Sequence, residues 1–215
     1  MAKYLLFDLD GTLTDPALGI TNSIMYMLKK EGREVPPREK LYYFIGPPLI
    51  PSFREVFGMT DEEAKVALEE YREYFSTTGI FENEPYTGIA DALDRLKKAG
   101  YVIGTATSKP EEFAEKILVH FDLRKYFDCV TGASMDEKRV SKSDVISDAL
   151  ERMGADRNET IMIGDRKHDV EGGQAQNIPT LGVLWGYGSR DEREAAGAKW
   201  IAETIDEMAE IIEAN

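Results

Sequence analysis

Five short apolar runs constrain this chain more than anything else in it. They are KYLLFDL from Lys3, YVIGTAT from Tyr101, FDCVTG from Phe127, TIMIGD from Thr160 and TLGVLWG from Thr180. Each is apolar on both faces and leads into Gly, Asp, Ser or Thr, which is how parallel strands buried on both sides read. Helix patterns separate them. Residues 88–98 carry Ile89, Leu93 and Leu96 on one face and stop at Gly100. Residues 110–120 open on Pro110 and carry Phe113, Ile117 and Leu118. Residues 143–153 align Val145, Ile146, Leu150 and Met153 and stop at Gly154. Alternation of this kind predicts an α/β fold, a Rossmann-like parallel sheet with helices on both faces.

One stretch breaks the alternation. From Pro16 to about Gly79 there are helix signals only. Asp15-Pro16 reads as a cap and first-turn pair ahead of Ile20, Ile24, Met27 and Leu28. Thr60 to Glu63, TDEE, reads as a capping box opening a long helix through Leu68, Tyr71 and Phe75. Between them, IGPPLIPSF (residues 45–53) reads as a Pro-rich bend. The expectation is a helical cap, residues 16–82, inserted into a core of residues 1–15 and 83–215. An insert at the carboxyl ends of parallel strands overlies the place where such sheets bind ligands, so a lid is expected. The IGPPL segment reads equally as a loop dipping toward a substrate and as a helix breaker.

The strand ends collect the chemistry. The first supplies Asp8, Asp10 and Thr12, the second Thr107, Ser108 and Lys109, and the fourth Asp165 and Asp169, while Lys142 opens the helix after the third. In a parallel sheet these lie along one edge. Four acids in one crevice need a counter-charge. All-oxygen ligands favour a hard divalent ion, and Mg²⁺ suits a site shared with phosphate. Hydroxyls, the Ser108 amide and a lysine complement an anion with several oxygens. Metal, oxyanion donors and a carboxylate nucleophile together make a site for phosphoryl transfer.

Each feature also has a plainer reading. Asp10-Gly11 alone is a turn. Thr107 and Ser108 would cap the helix from Pro110, and Asp165 and Asp169 would complement a helix dipole. Lys109 and Lys142 would each, alone, be solvated surface lysines. His168 reads as a polar neighbour of the site, His120 as structural, and Cys129 as buried on a strand and inert. The complete, ordered set at four strand ends outweighs these readings for the acids.

Charge narrows the partner. With 26 basic and 40 acidic residues the formal net charge is -14, which argues against a nucleic acid polymer or a membrane surface. An anionic small molecule stays open, because a local metal sets the sign inside a site. The single cysteine allows no intrachain disulfide. No signal peptide and no membrane span are expected, and a cytoplasmic protein is the reading. Without sustained heptads a monomer is expected, a dimer being the alternative.

DLDGT at the first strand, Thr107 at the second, Lys142 ahead of the fourth and GDRKHD at its end resemble the haloacid dehalogenase (HAD) superfamily in its phosphatase branch. FDLDGTLTDP, IGPPL and GDRKHDVEG are most similar to its phosphoglycolate phosphatase and 5′-nucleotidase-like members. The resemblance implies a Mg²⁺-dependent phosphomonoester hydrolase acting on a small organic phosphate through an aspartyl-phosphate. It implies Asp8 as nucleophile and Asp10 as the acid and base. Thr107, Ser108 and Lys142 would hold the phosphoryl oxygens. Asp8, the Asp10 carbonyl and Asp165 would ligate Mg²⁺, and Asp169 would orient a bound water or Lys142. The alternatives are a phosphomutase, a phosphonate hydrolase using a cap lysine (Lys29, Lys30 or Lys40), and a non-catalytic binder of phosphate esters.

Overall fold

The computed structural model describes residues 1–136 and 138–215. Its elements run β1 (Tyr4–Phe7), β2 (Thr14–Asp15), α1 (Ala17–Lys30), α2 (Leu49–Phe57), α3 (Asp61–Phe75), β3 (Glu84–Pro85), α4 (Ile89–Lys98), β4 (Val102–Thr105), β5 (Thr107–Pro110), α5 (Glu111–His120), β6 (Gly132–Ala133), α6 (Lys142–Met153), β7 (Thr160–Gly164), α7 (Lys167–Ala175), β8 (Thr180–Val183), α8 (Arg190–Ala196), β9 (Trp200–Ala202) and α9 (Ile205–Glu213). The chain forms two compact units, Met1–Thr14 with Pro85–Asn215, and Asp15–Glu84. The short strands β2 and β3 straddle the two boundaries and form a two-stranded sheet of their own.

The first unit is built on a five-stranded parallel sheet in the order β4-β1-β7-β8-β9. Strand β1 lies between β4 and β7, so both its edges are paired, and Leu5, Leu6 and Phe7 are fully buried, so both its faces are covered as well. That is why its sequence is a continuous apolar run rather than an alternating one. Leu6 and Met162 pack with Val145, Ile146, Ala149 and Leu150 of α6, each large side chain contributing about 1.5–3 kcal/mol by leaving water. Helix α6 is held at its start by Ser141, whose hydroxyl accepts the Asp144 amide at 3.1 Å, and ends at the left-handed Gly154.

Two strand expectations need correction. The run from Phe127 does not form a regular strand of this sheet. It touches the β4 edge through a single bridge, Gly104 to Cys129, and then β6 pairs with β5 in a separate two-stranded sheet. The Asp128 carboxylate takes the Ile103 amide at 2.8 Å and Lys97 at 2.7 Å, so a side chain replaces the backbone acceptor that a regular ladder would use. Cys129 is accordingly half-buried. The fifth strand is β9, three residues next to charged neighbours, too short to stand out as an apolar run.

The second unit is helical. Helix α1 buries Ile20, Ile24, Met27 and Leu28, and packs against α3, which buries Ala64, Ala67, Leu68, Tyr71 and Phe75. The capping box is present: Thr60 accepts the Glu63 amide at 3.2 Å and Glu63 accepts the Thr60 amide at 2.7 Å. Helix α1 starts one residue later than its Asp-Pro signal suggests, with Asp15 accepting the Ala17 amide at 3.0 Å. The Pro-rich bend is shorter than the sequence implies. Helix α2 already begins at Leu49, with Pro51 in the first turn, where a missing N–H costs nothing. Phe44, Phe53 and Phe57 form an aromatic cluster beside it, with Phe44 stacked on Phe57 at 5.2 Å. Among the described residues no helix is long and apolar enough to cross a membrane.

Candidate active site

The site lies within the first unit, along the carboxyl edge of its sheet. The ladder of β1 continues one residue beyond Phe7: the Asp8 amide donates to the Ile163 carbonyl at 2.9 Å, and the Ala106 amide to the Phe7 carbonyl at 2.8 Å. Asp8 is thus fixed by backbone bonds before the chain turns. The turn falls at Gly11, whose φ of +83° suits glycine, and a Cβ there would collide with the Asp165 carboxylate. Asp165 follows β7 directly, and Asp169 sits in the first turn of α7. A Cβ on Gly164 would strike Asp169, so a second glycine lets these acids pack against the strand end. Lys142 is the first residue of α6.

Lys142 organises the cluster. Its ammonium lies 3.0 Å from Asp8 Oδ1 and 2.7 Å from Asp169 Oδ1, and donates to the Ala106 carbonyl at 3.1 Å. The ammonium thus faces two carboxylates and one carbonyl, and the lysine side chain is only 5% exposed. Asp169 spends its other oxygen on the Arg166 amide at 3.0 Å. Asp165 differs. Its Oδ2 accepts the Tyr187 amide at 2.7 Å, while Oδ1 is buried without a hydrogen-bond partner among the described residues. Asp8, Asp165 and Asp169 each offer an oxygen within 4.8 Å of the others.

Burial and crowding shift these groups. Burial raises the Asp165 carboxyl well above the ordinary aspartate range, and the negative charges of Asp169 and Asp8 raise it further. Burial raises Asp169 to about 6, against the pull of Lys142. Burial also raises Asp10, with Lys109 opposing it. For Lys142 burial disfavours the ammonium, but Asp169 and Asp8 outweigh it and hold the charge. One ammonium among three packed carboxylates leaves an excess of negative charge, and the orphaned Asp165 Oδ1 is a buried acceptor of the kind a hard cation satisfies. The donor set fits Mg²⁺.

A stability measurement checks this balance. A buried carboxyl whose pKa is raised destabilises the fold as pH climbs from its unfolded value toward its folded one. In EDTA, the melting temperature of the wild type should therefore fall between pH 5 and pH 8. Asp165→Asn should flatten that fall and melt about 5 °C higher at pH 8, since replacing an uncompensated buried charge stabilises by about 1–3 kcal/mol. A lower melting point for the variant would contradict the charge excess.

The remaining residues divide. Thr107 is buried on β5, and its hydroxyl accepts the Lys109 amide at 3.2 Å instead of capping a helix; Ser108 is half-buried. Helix α5 follows Pro110 with no side-chain cap. Lys109 corrects the surface reading: it is buried, with its ammonium 2.9 Å from Asp10 Oδ2. Lys142 is likewise buried, not solvated. His168 stays outside the acid cluster, 3.6 Å from Glu171, and burial lowers its pKa. One further segment reaches the acid cluster without standing out in the sequence. After β8, Trp185 donates to the Thr12 carbonyl at 3.0 Å and Tyr187 binds Asp165. The fully buried Arg193 donates to the carbonyls of Asp165 and Gly188. The signal was present in WGYGS, where Gly186 and Gly188 pass so close to Asp165 that a Cβ on either would collide with it.

The family model described as haloacid dehalogenase-like hydrolase matches residues 5–183. A 5′-nucleotidase of Pseudomonas aeruginosa is 36% identical over 98% of this chain and 96% of its own length. The tyrosine-protein kinase PtkA of Mycobacterium tuberculosis is 39% identical over 98% of this chain and 72% of its own. The crystal structure of a predicted phosphatase from Clostridium acetobutylicum superposes with a TM-score of 0.98 at 45% identity, covering the whole of both chains.

Proposed function

The chain belongs to the haloacid dehalogenase-like hydrolases and is a phosphatase of that family, and on that footing we propose that it hydrolyses a small organic phosphate monoester through a phosphorylated Asp8. The substrate class is of the phosphoglycolate or nucleoside monophosphate type. The observation that carries this reading is the bridge from Lys142 to Asp8 and Asp169, within the same buried group of acids as Asp165.

Asp8 attacks phosphorus with its free carboxylate oxygen. The bond from phosphorus to the ester oxygen breaks, its electron pair goes to that oxygen, and Asp10 supplies the proton, so an alcohol leaves. Water then attacks the aspartyl-phosphate, gives a proton to Asp10, and frees the Asp8 carboxylate and inorganic phosphate. Lys142 keeps its proton and neutralises Asp8 before attack and the phosphoryl oxygens during it. Thr107 and the Ser108 amide add donors to those oxygens. Asp8, the Asp10 carbonyl and Asp165 would hold Mg²⁺, which supplies Lewis-acid stabilisation of the phosphoryl group when bound. Asp169, with both oxygens engaged by the protein, orients Lys142.

Phosphate release from a panel of p-nitrophenyl phosphate, phosphoglycolate, nucleoside monophosphates and sugar phosphates tests the reading. One ester should stand out by kcat/KM, EDTA should silence the reaction, and Mg²⁺ should restore it. An enzyme unaffected by EDTA, or without turnover on any ester, would sink the proposal. The mycobacterial relative favours one further outcome to score in the same assay: transfer of phosphate from ATP to tyrosine in place of water. Phosphotyrosine accumulating on this chain with ATP would move the assignment from hydrolase to transferase.

A further inference from the structure

We propose that Lys109 is a positioning residue for Asp10, its ammonium fixing Oδ2 so that Oδ1 is the oxygen that exchanges a proton with the ester. The inference rests on the phosphatase reading above and assigns a role to a residue which that reading does not use.

Two neighbouring segments of chain carry matching pairs. Asp8 and Asp10 stand two residues apart at the end of β1. Thr107 and Lys109 stand two apart on β5, where burial alternates so that both are buried and Ser108 and Pro110 are less so. Side chains two apart on a strand share a face. The pairing of β5 with β6 shifts register between Thr107 and Pro110, and such irregularities re-aim side chains beside active sites. The Lys109 amide donates to the Thr107 hydroxyl at 3.2 Å, which ties the two residues into one local unit.

The two buried lysines divide the two acids between them. Lys142 reaches Asp8, and Lys109 reaches Asp10 Oδ2 at 2.9 Å. A lysine side chain 5% exposed against an aspartate side chain 9% exposed is a desolvated pair. The two Asp10 oxygens are unequal: Oδ2 faces Lys109, and Oδ1 is buried with no hydrogen-bond partner among the described residues. The terminal torsion of an aspartate is otherwise broad. Holding one oxygen sets that torsion and leaves Oδ1 as the oxygen without a hydrogen-bond partner among the described residues, and correct placement of an acid contributes to rate through orientation. Lys109 keeps its proton throughout and forms no bond to the ester. The proton that leaves Oδ1 in the first step goes to the ester oxygen as the phosphorus–oxygen bond pair arrives there, and the proton regained in the second comes from water.

Leaving-group dependence tests this directly. The full-length Mg²⁺-loaded protein is assayed on p-nitrophenyl phosphate, whose anion leaves readily unprotonated, and on p-methoxyphenyl phosphate, whose anion does not. In Lys109→Met, kcat/KM should fall further for the methoxy ester, raising the ratio between the two by about tenfold or more, as expected when a general acid loses its placement. Lys109→Arg should restore most of the ratio, because a guanidinium can also hold Oδ2. A partly misfolded preparation lowers both values equally and leaves the ratio alone, and Lys109→Gln repeats the comparison if the methionine variant does not fold. An unchanged ratio overturns the inference, as does an equal loss on both esters. A wild type that turns over neither ester fails the phosphatase reading instead, so the two failures are separable.

Discussion

Asp8→Asn should lose at least about 10⁴-fold in kcat on p-nitrophenyl phosphate while keeping its fold, the magnitude expected when a covalent nucleophile is removed. The substitution is nearly isosteric. The asparagine carbonyl can still accept the Leu9 amide, which Asp8 Oδ1 now does at 2.8 Å. Lys142 retains Asp169 at 2.7 Å and the Ala106 carbonyl at 3.1 Å, so no buried cation is stranded. Loss of activity would therefore report chemistry and not collapse. An amide oxygen is too weak a nucleophile to displace an alkoxide from phosphorus. Acid-quenched wild type should carry a hydroxylamine-labile phosphate that the variant lacks. Substantial turnover by the variant, with a melting curve like that of the wild type, would rule out Asp8 as the nucleophile.

Lys142→Met should be the most damaging single change to the site, because it acts on stability and on rate together. Removing one member of a buried ion pair leaves its partners uncompensated and costs about 3–5 kcal/mol. Here two carboxylates lose the same ammonium, Asp8 at 3.0 Å and Asp169 at 2.7 Å. The sign with pH follows. Asp169 already has a raised pKa of about 6 with Lys142 present. Without the lysine it rises further, so the folded state prefers the proton that the unfolded chain gives up near pH 4. The variant's deficit should be small at pH 4 and grow through pH 6 to 8, as read by melting temperature in EDTA. A deficit independent of pH would mean that lost packing, not lost charge, dominates. Activity should fall about 10³-fold or more if, as proposed, Lys142 neutralises Asp8 before attack and the phosphoryl oxygens during it.

Legibility differed from residue to residue for physical reasons. The buried strands β1, β4, β7 and β8 announced themselves, because a strand covered on both faces must be apolar throughout. The run at Phe127 suits a strand by its apolar residues, but it meets β4 only as a bridge at Cys129: the Asp128 amide reaches the Ile103 carbonyl and the Thr105 amide the Cys129 carbonyl, while the Ile103 amide goes to the Asp128 carboxylate instead of to backbone. Strand β9 was invisible because three residues carry no period. That Asp8, Asp10 and Asp165 gather at one edge of the sheet is readable from their places at the strand ends. The burial of Lys109 is not, because a lysine is buried only when a carboxylate from another segment waits for it, and no local pattern records that. The brace formed by Tyr187 and Arg193 was hidden for the same reason: its partners lie 22 and 28 positions away in the chain.

Residue chemistry alone determined which groups would meet at the sheet's edge, since parallel strands deliver every carboxyl end to one side and each end carried its own acid, hydroxyl or lysine. Only the tertiary structure decided how those groups share charge. Lys142 is given to Asp8 and Asp169, Lys109 to Asp10, and Asp165 keeps one oxygen without a partner among the described residues. Pairing of buried charges depends on separations of about 3 Å in a medium of low polarity, and such distances are properties of packing that no spacing along the chain encodes.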